Sequence, residues 1–155
     1  MGKSVNRVKA AAADLGLDID VVTLPHSTRT ADEAAIAVGC APAQIAKSMI
    51  FEGAHSGALK LVLVSGAHQL DLARAPDLFG EDLVRADPKR VRKDTGFAIG
   101  GVAPIGHLCA MQTYIDAHLL GFDVVWGAGG APDTVFRVDP HKLAAACRAT
   151  TVTLT

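Results

Sequence analysis

A stretch with three glycines and one proline in eight residues, Gly100 to His107, places the strongest constraint on how this chain can fold. Glycine permits positive φ angles and close approach of a ligand to the main chain, whereas proline fixes a bend and lacks an N–H. The stretch lies between apolar segments, so we expect it to form a turn that exposes backbone amides. Two interpretations stay open: a tight turn that joins two strands, or a loop whose amides bind a ligand.

The apolar segments elsewhere are short and are interrupted by glycine or proline, which predicts many brief helices and strands. Helices are predicted at 4–15, 30–38, 42–46, 71–79 and 140–148, with a further basic helix that begins at Asp87-Pro88. Strands are predicted at 19–24, 47–51, 59–64, 83–85, 108–115, 124–126, 135–138 and 152–154, with a polar turn at 26–29. Because these elements show no regular β-α-β alternation, the predicted fold class is α+β, with a mixed, largely antiparallel sheet or a partly open barrel. No repeat or linker divides the chain, so we expect one domain over residues 1–155.

Composition excludes several classes of protein. The chain has 155 residues and a net charge of −1, which rules out a generally basic nucleic-acid binder. Its three cysteines, Cys40, Cys109 and Cys147, are widely spaced, so free and mostly buried thiols are expected instead of a disulfide framework. The six histidines show no metal-binding spacing, and no metal site is expected. No apolar run is long enough to cross a bilayer and no secretory signal is found, which predicts a soluble cytoplasmic protein that does not contact membranes.

Lys47 is conspicuous because it lies in the apolar segment 45–51, where a buried charge is costly without a partner. Either its stem lies on apolar surface while the ammonium group reaches water, or the lysine serves a site. Lys60 also lies in an apolar run, but its two leucine neighbours would alternate faces with it in a strand. We therefore expect the Lys60 side chain to face outward.

A second glycine cluster, Gly127 to Gly130, follows a predicted strand but matches no nucleotide-binding motif. Two loops of exposed backbone together with one strand-borne lysine predict a pocket for a carbonyl, carboxylate or phosphate oxygen, and hence oxyanion stabilisation. A nucleophilic serine has no motif to support it. His107 and Cys109 would share a face of a strand, as a thiol–imidazole pair or, more simply, as a buried structural cysteine beside a histidine.

Five positive charges lie close together in the sequence: Arg85, Lys89, Arg90, Arg92 and Lys93. A solvent-exposed helix face explains such a cluster in most proteins. It is also the only candidate for contact with a nucleic-acid backbone in this chain.

Five short segments occur in the order seen in the YbaK/ProX family: 30–35 (TADEAA), 44–48 (QIAKS), 100–106 (GGVAPIG), 115–116 (ID) and 128–129 (AG). This family comprises aminoacyl-tRNA deacylases similar to the editing (insertion) domain of bacterial prolyl-tRNA synthetase. Each segment alone is a weak signal, but the ordered set resembles the family over about residues 19 to 145.

The resemblance implies a trans-acting editing hydrolase that cleaves the ester of mischarged aminoacyl-tRNA, with tRNA(Pro) carrying a small non-cognate amino acid as the expected substrate. It implies no cofactor, and it makes the aminoacylated acceptor end of tRNA the partner, with prolyl-tRNA synthetase as a further candidate. In the family, the lysine equivalent to Lys47 positions substrate near the terminal adenosine. Backbone amides of the loop that begins at Gly101 hold the ester carbonyl, and a ribose hydroxyl of the substrate helps to activate water.

The residues expected to bind substrate by this resemblance are Ser48, Val102, Ala103, Pro104, Gly106, Gly127, Ala128 and Gly129. Some relatives have threonine or asparagine at position 48 and serine at position 127, so the accepted amino acid does not transfer from them. Two alternatives stay open: a non-catalytic module that binds tRNA or an aminoacyl-adenylate-like ligand, and a metal or thiol hydrolase built around His107 and Cys109.

Overall fold

The computed structural model describes residues 2–28 and 30–154, and within them it contains five α-helices and eight strands. The helices are α1 (Lys3–Asp14), α2 (Ala31–Val38), α3 (Ala75–Phe79), α4 (Pro88–Thr95) and α5 (Pro140–Cys147). The strands are β1 (Val22–Thr23), β2 (Ala46–Gly53), β3 (Leu59–Ser65), β4 (Leu83–Arg85), β5 (Gln112–Asp116), β6 (Val125–Ala128), β7 (Thr134–Val138) and β8 (Thr150–Val152). Short 3₁₀ turns lie at Pro42–Gln44, Leu72–Arg74 and Ala117–Gly121.

The strands form two open sheets. The larger has the order β4-β2-β3-β5-β8, in which β2 is antiparallel to β3 and β4, while β5 is parallel to β3 and β8. The smaller is antiparallel with the order β1-β7-β6, and a single parallel bridge between Ile45 and Trp126 links the two sheets. Neither sheet closes into a barrel, so the α+β prediction is confirmed in its open-sheet form.

Strand β3 forms the centre of the molecule, and all seven of its residues are buried. Leu61 and Leu63 face the main core, which also contains Val8 of α1. Val62 and Val64 face a second core on the opposite side of the sheet. Burial on both faces explains why this strand reads as a nearly continuous apolar run.

Helix boundaries follow the capping residues that the sequence shows. Thr30 Oγ1 accepts a hydrogen bond from the Glu33 amide at 3.1 Å, which is one half of a capping box. Asp87 and Asp139 cap α4 and α5 through their carboxylates. Gly39 ends α2 in the left-handed conformation, with φ of 76°. The predicted starts of these three helices are confirmed.

Several predicted elements are wrong in extent. The strand predicted at 108–115 begins only at Gln112. Leu108 is exposed and lies in the loop after α4, where its N–H donates to the Thr95 oxygen at the end of that helix instead of to a neighbouring strand. The helix predicted at 71–79 divides into a 3₁₀ turn and α3, with Pro76 in the first turn of α3. The first strand is reduced to the two residues of β1, and the predicted 42–46 helix is a single 3₁₀ turn. Arg29, at the end of the predicted polar turn, lies outside the described residues.

The outward-facing prediction for Lys60 is also wrong. Its exposed fraction is 6%, and its ammonium group lies 3.8 Å from Glu81, donates to the Gln112 amide oxygen and lies over the Tyr114 ring. The three cysteines are free as predicted, but each is only partly buried. Across residues 2–28 and 30–154, no helix is both long enough and apolar enough to span a membrane.

Candidate active site

A cavity of about 470 Å³ lies at the junction of the two sheets. Its wall is formed by the start of α2, the first half of β2, the Gly100 loop and the β6–β7 hairpin. The described lining residues are Thr28, Thr30, Ala31, Asp32, Ala34, Ile45, Ala46, Lys47, Ser48, Met49, Gly66, Gly100, Val102, Trp126, Gly127, Ala128, Ala131, Pro132, Thr134 and Val135. Five of the predicted site residues therefore share this wall: Lys47, Ser48, Val102, Gly127 and Ala128.

Lys47 provides a fixed positive charge in the cavity. The residue is partly buried on β2, and its Nζ donates to the backbone oxygen of His68 at 2.8 Å. Burial lowers the pKa of the Lys47 ammonium, while the negative charges of Asp116 and Asp32 oppose that shift. The single hydrogen bond to His68 leaves the remaining ammonium protons for a ligand.

A buried carboxylate supports the segment that holds Lys47. Asp116 is 1% exposed, and its Oδ2 lies 2.8 Å from His68 Nδ1 and accepts from the Ser65 amide at 3.0 Å. Its other oxygen accepts from the His118 amide at 3.0 Å, which caps the turn after β5. The chain from Lys47 through His68 to Asp116 therefore connects the cavity to the core.

Asp116 was expected only as part of the family segment 115–116, and His68 was not expected in the site. Besides its cap on the turn after β5, Asp116 contacts both His68 and Ser65. A signal existed in the chain: His68 follows the end of β3 and Asp116 ends β5, and these strands are parallel neighbours. Residues after the ends of parallel neighbours meet at one edge of a sheet.

The first glycine loop borders the cavity at Gly100 and Val102. Gly100 has φ of 96°, a conformation that favours glycine. The Gly101 N–H donates to Ala98 O at 2.9 Å, so this amide is already hydrogen bonded within the loop. Among the residues that the structure describes, no acceptor is paired with the Val102 N–H. The assignment of an oxyanion-binding amide to Gly101 stays a prediction, and Val102 is the residue of this loop that both lines the cavity and has an N–H without an acceptor among the described residues.

The second half of this loop packs against the body of the protein. The Ala103 oxygen lies 2.7 Å from His107 Nε2, and Gly106 has φ of 86° with the backbone of Val8 directly beside it. A Cβ at position 106 would lie 3.2 Å from Val8 Cα. Ala103 and Gly106 do not line the cavity, so they fix the loop in place.

The second glycine loop is divided in the same way. Gly127 and Ala128 line the cavity, whereas a Cβ at Gly129 would lie 2.7 Å from Val21 Cγ1. Gly129 therefore permits close packing and does not reach the cavity wall. Pro104 lies behind Gly127, where a Cβ at position 127 would be 3.4 Å from Pro104 Cγ. Pro104 joins the two glycine loops from behind the site.

The strand face that a His107 and Cys109 pair would share is absent, because residues 107–109 are not in a strand. The His107 ring lies edge-to-face with Phe97 at 5.4 Å, and burial lowers the pKa of its imidazole. Cys109 is half-buried, and burial raises the pKa of its thiol. Neither residue lines the cavity. The positions of His107 and Cys109 indicate a role in packing.

The basic segment lies away from the cavity. Strand β4 pairs with residues 51–53 at the far end of β2, about 13 Å along the strand from Lys47. Arg90 pairs with Glu52 and, at 3.2 Å, with Asp94. The other four side chains are exposed: Arg85, Lys89, Arg92 and Lys93. These four are free of the carboxylate contacts that hold Arg90.

The fold and cavity together define a pocket that combines main-chain donors, one lysine and one buried hydroxyl. Ser48 Oγ is inaccessible to solvent and has no hydrogen-bond partner within the described residues. Such a donor set suits a planar ester or carboxylate group and a polar leaving group. The cavity is thus suited to an acyl group.

A family model of the aminoacyl-tRNA editing domain matches residues 26–146, so this chain belongs to that family and the predicted YbaK/ProX resemblance is confirmed. The segments that carried the resemblance between residues 30 and 129 all lie within the matched region. The chain is therefore an aminoacyl-tRNA editing domain.

Three related proteins extend this comparison. The crystal structure of a candidate trans-editing enzyme for prolyl-tRNA synthetase is 46% identical, covers 100% of this chain and 98% of its own, and superposes with a TM-score of 0.92. The hypothetical protein APE2540 is 26% identical over 96% of this chain and 98% of its own, with a TM-score of 0.86. The uncharacterised protein YwhH of Bacillus subtilis (strain 168) is 28% identical over 90% of this chain and 88% of its own.

Proposed function

We propose that this chain is a trans-acting editing hydrolase, contained in one domain over residues 1–155, that removes a small non-cognate amino acid from tRNA(Pro) in the cytoplasm. The observation that carries the proposal is the shared cavity wall of Lys47, Val102 and Gly127. Membership of the aminoacyl-tRNA editing family supports the reaction class. The 46% identical candidate trans-editing enzyme for prolyl-tRNA synthetase supports tRNA(Pro) as the substrate and the synthetase as a functional partner.

In the proposed reaction, water attacks the carbonyl carbon of the ester and the bond to the ribose oxygen breaks. The ribose oxygen leaves with a proton, and the amino acid is released as a carboxylic acid that ionises. Negative charge develops on the carbonyl oxygen, and backbone amides aimed at that oxygen stabilise it. The Val102 N–H is the donor that we propose, because it has no acceptor among the described residues, and Gly101 is the neighbouring candidate. A ribose hydroxyl of the substrate helps to activate water, so no side-chain nucleophile is required.

The charged and polar side chains of the cavity position the substrate. Lys47 orients the terminal nucleotide, and its bond to His68 O restricts the directions in which the ammonium group can donate. Ser48 lines the cavity beside Lys47, and rotation of its side chain would bring Oγ, which has no partner within the described residues, to the bound acyl group. The cavity volume of about 470 Å³ lies within the range typical of small-molecule sites, and Met49 and Trp126 form apolar parts of its wall.

The exposed basic residues Arg85, Lys89, Arg92 and Lys93 are proposed to contact the phosphates of the acceptor stem. Arg90 is left out of this contact because Glu52 and Asp94 already hold its guanidinium. With the terminal adenosine in the cavity, the acceptor stem of the tRNA would run along the outer surface of the protein. The basic segment begins about 13 Å along β2 from Lys47.

The test is hydrolysis of tRNA(Pro) charged separately with alanine, serine, cysteine, 2-aminobutyrate and proline. We expect the protein to cleave at least one small non-cognate ester and to spare prolyl-tRNA(Pro). Lys47→Ala is expected to reduce the rate by about 100-fold, since positioning contacts contribute on this scale. Lys142→Ala is the matched control, because Lys142 is exposed and lies off the cavity.

Absence of hydrolysis above the uncatalysed rate for all five esters would refute the enzyme assignment. Salt-sensitive tRNA binding without turnover would instead identify a non-catalytic binding module. Full activity of Lys47→Ala, with an unchanged circular dichroism spectrum, would remove Lys47 from the mechanism while leaving the activity intact.

A further inference from the structure

Two formally charged side chains lie on the described part of the cavity wall, Lys47 and Asp32. Asp32 belongs to the first turn of α2, two residues after the N-cap Thr30, and it is exposed. Its charge acts on the pKa of Lys47 across the cavity. The wall therefore presents one cationic and one anionic group to the same small volume.

The fold itself does not account for Asp32. The N-terminus of α2 is already capped by Thr30, whose hydroxyl accepts from Glu33 N–H. The helix dipole favours a carboxylate anywhere in the first turn, so it does not require a side chain on the cavity wall. Within the described residues, no hydrogen-bond donor is paired with the Asp32 carboxylate. The Asp32 carboxylate on the cavity wall is thus available to a ligand.

The ligand of an editing site supplies a matching group. An aminoacyl ester can carry one cationic group that is common to all amino acids, the α-ammonium group on the carbon next to the ester carbonyl. If the glycine loop holds the carbonyl oxygen and Lys47 faces the nucleotide, the α-ammonium must lie within the same cavity. A cation placed in a partly enclosed site requires an opposite charge or several acceptors. Asp32 is the carboxylate on this wall.

We propose that Asp32 forms a subsite for the α-ammonium group of the bound aminoacyl ester. The proposal rests on the proposed function, because it takes the acyl group of that reaction as the ligand. It gives the site a selection rule that cavity size alone does not provide. Esters with a free amine bind, whereas those with a neutral hydroxyl in place of the amine, or with an acylated amine as in peptidyl-tRNA, bind poorly.

Binding is measured with two analogues that cannot be hydrolysed, 3′-alanylamido-3′-deoxyadenosine and its 3′-lactylamido counterpart. The two differ at one position, where a neutral hydroxyl replaces the ammonium at nearly equal size. Trp126 lines the cavity and is the single tryptophan of the chain, so its fluorescence reports occupancy directly. The measurement needs no catalysis and is made at pH 7, where a carboxylate is ionised.

We expect the wild-type protein to bind the alanyl analogue about tenfold more tightly than the lactyl analogue, as one charge-assisted hydrogen bond would give. Asp32→Asn should bind both analogues equally and keep the melting temperature of the wild-type protein. Asp77→Asn is the control, because Asp77 is an exposed acidic residue in the first turn of another helix and lies off the cavity. That variant should retain the tenfold preference.

Equal binding of the two analogues by the wild-type protein, a preference that survives in Asp32→Asn, or no binding of the alanyl analogue would each overturn the subsite. The hydrolase proposal fails separately. Preferential binding of the alanyl analogue without cleavage of any charged tRNA leaves the subsite standing and removes the enzyme assignment. Cleavage of charged tRNA without a preference for the alanyl analogue leaves the enzyme assignment standing and removes the subsite.

Discussion

Replacement of Asp116 by alanine tests whether the buried carboxylate is the main support of the cavity edge. The side chain is 1% exposed and accepts three hydrogen bonds, from Ser65 N–H, His118 N–H and the His68 ring. Alanine can accept none of them. The three donors differ in their access to water, and this difference determines the cost of the change.

The magnitude follows from the burial of each donor. Ser65 is fully buried, so its orphaned N–H costs about 2 kcal/mol. His68 is partly exposed and loses a hydrogen bond to a charged group, which adds roughly 1 kcal/mol after partial hydration. His118 is exposed, and water replaces the carboxylate at its N–H at little cost. Asp116→Ala should therefore lower the free energy of unfolding by about 3 kcal/mol.

Urea unfolding at pH 7 measures this loss, and Asp87→Ala is the matched control. Asp87 also caps the turn that follows it, through a bond from Lys89 N–H at 3.0 Å, but it is exposed. Its removal should cost about 1 kcal/mol. If Asp116→Ala costs no more than Asp87→Ala, with equal slopes of free energy against urea concentration, burial of the carboxylate does not support the site and the reasoning is refuted.

Two further predictions concern Glu81 and the second glycine loop. Hydrogen bonds from the Ser56 amide and hydroxyl lower the pKa of Glu81 from 4.5 to about 2, so the stabilisation by its carboxylate is present above pH 4.5 and is lost as the pH falls towards 2. In Glu81→Gln the urea concentration at the midpoint of unfolding should change less with pH over this interval than in the wild-type protein. Parallel pH profiles of the two proteins would contradict the assignment. Gly129→Ala places a Cβ 2.7 Å from Val21 Cγ1 and should lower the free energy of unfolding by about 2 kcal/mol in a thermal melt. In Gly127→Ala the new Cβ meets nothing closer than 3.4 Å, and the loss should be less than about 1 kcal/mol. Equal losses in the two variants would show that the loop adjusts freely.

Local signals in the sequence predicted most helix boundaries correctly. Thr30, Asp87 and Asp139 each begin a helix because a short polar side chain can accept from the first free amides. Gly39 and Gly80 each end one in the left-handed conformation. These interactions lie within a few residues of one another along the chain, so no knowledge of tertiary structure is needed to predict them.

Lys60 shows where local reasoning fails. Alternation of faces predicted an exposed side chain, since its leucine neighbours had to face the core. In the structure β3 is buried on both faces, and the second face must accommodate the lysine. Glu81, Gln112 and Tyr114 provide that accommodation from 21 to 54 residues away in sequence. Charge burial of this kind depends on partners that only the sheet order brings together.

The glycine loop at 100–106 shows how much of the candidate site its composition could predict. The glycines and proline correctly predict a turn, but composition does not distinguish a glycine that exposes an amide from one that allows packing. Gly100 reaches the cavity, whereas Gly106 permits contact with the backbone of α1. The packed half restricts the backbone of the half that borders the cavity. Amides fixed in advance stabilise a developing oxyanion without reorganisation, which is why a loop so rich in glycine can serve as a rigid part of the site.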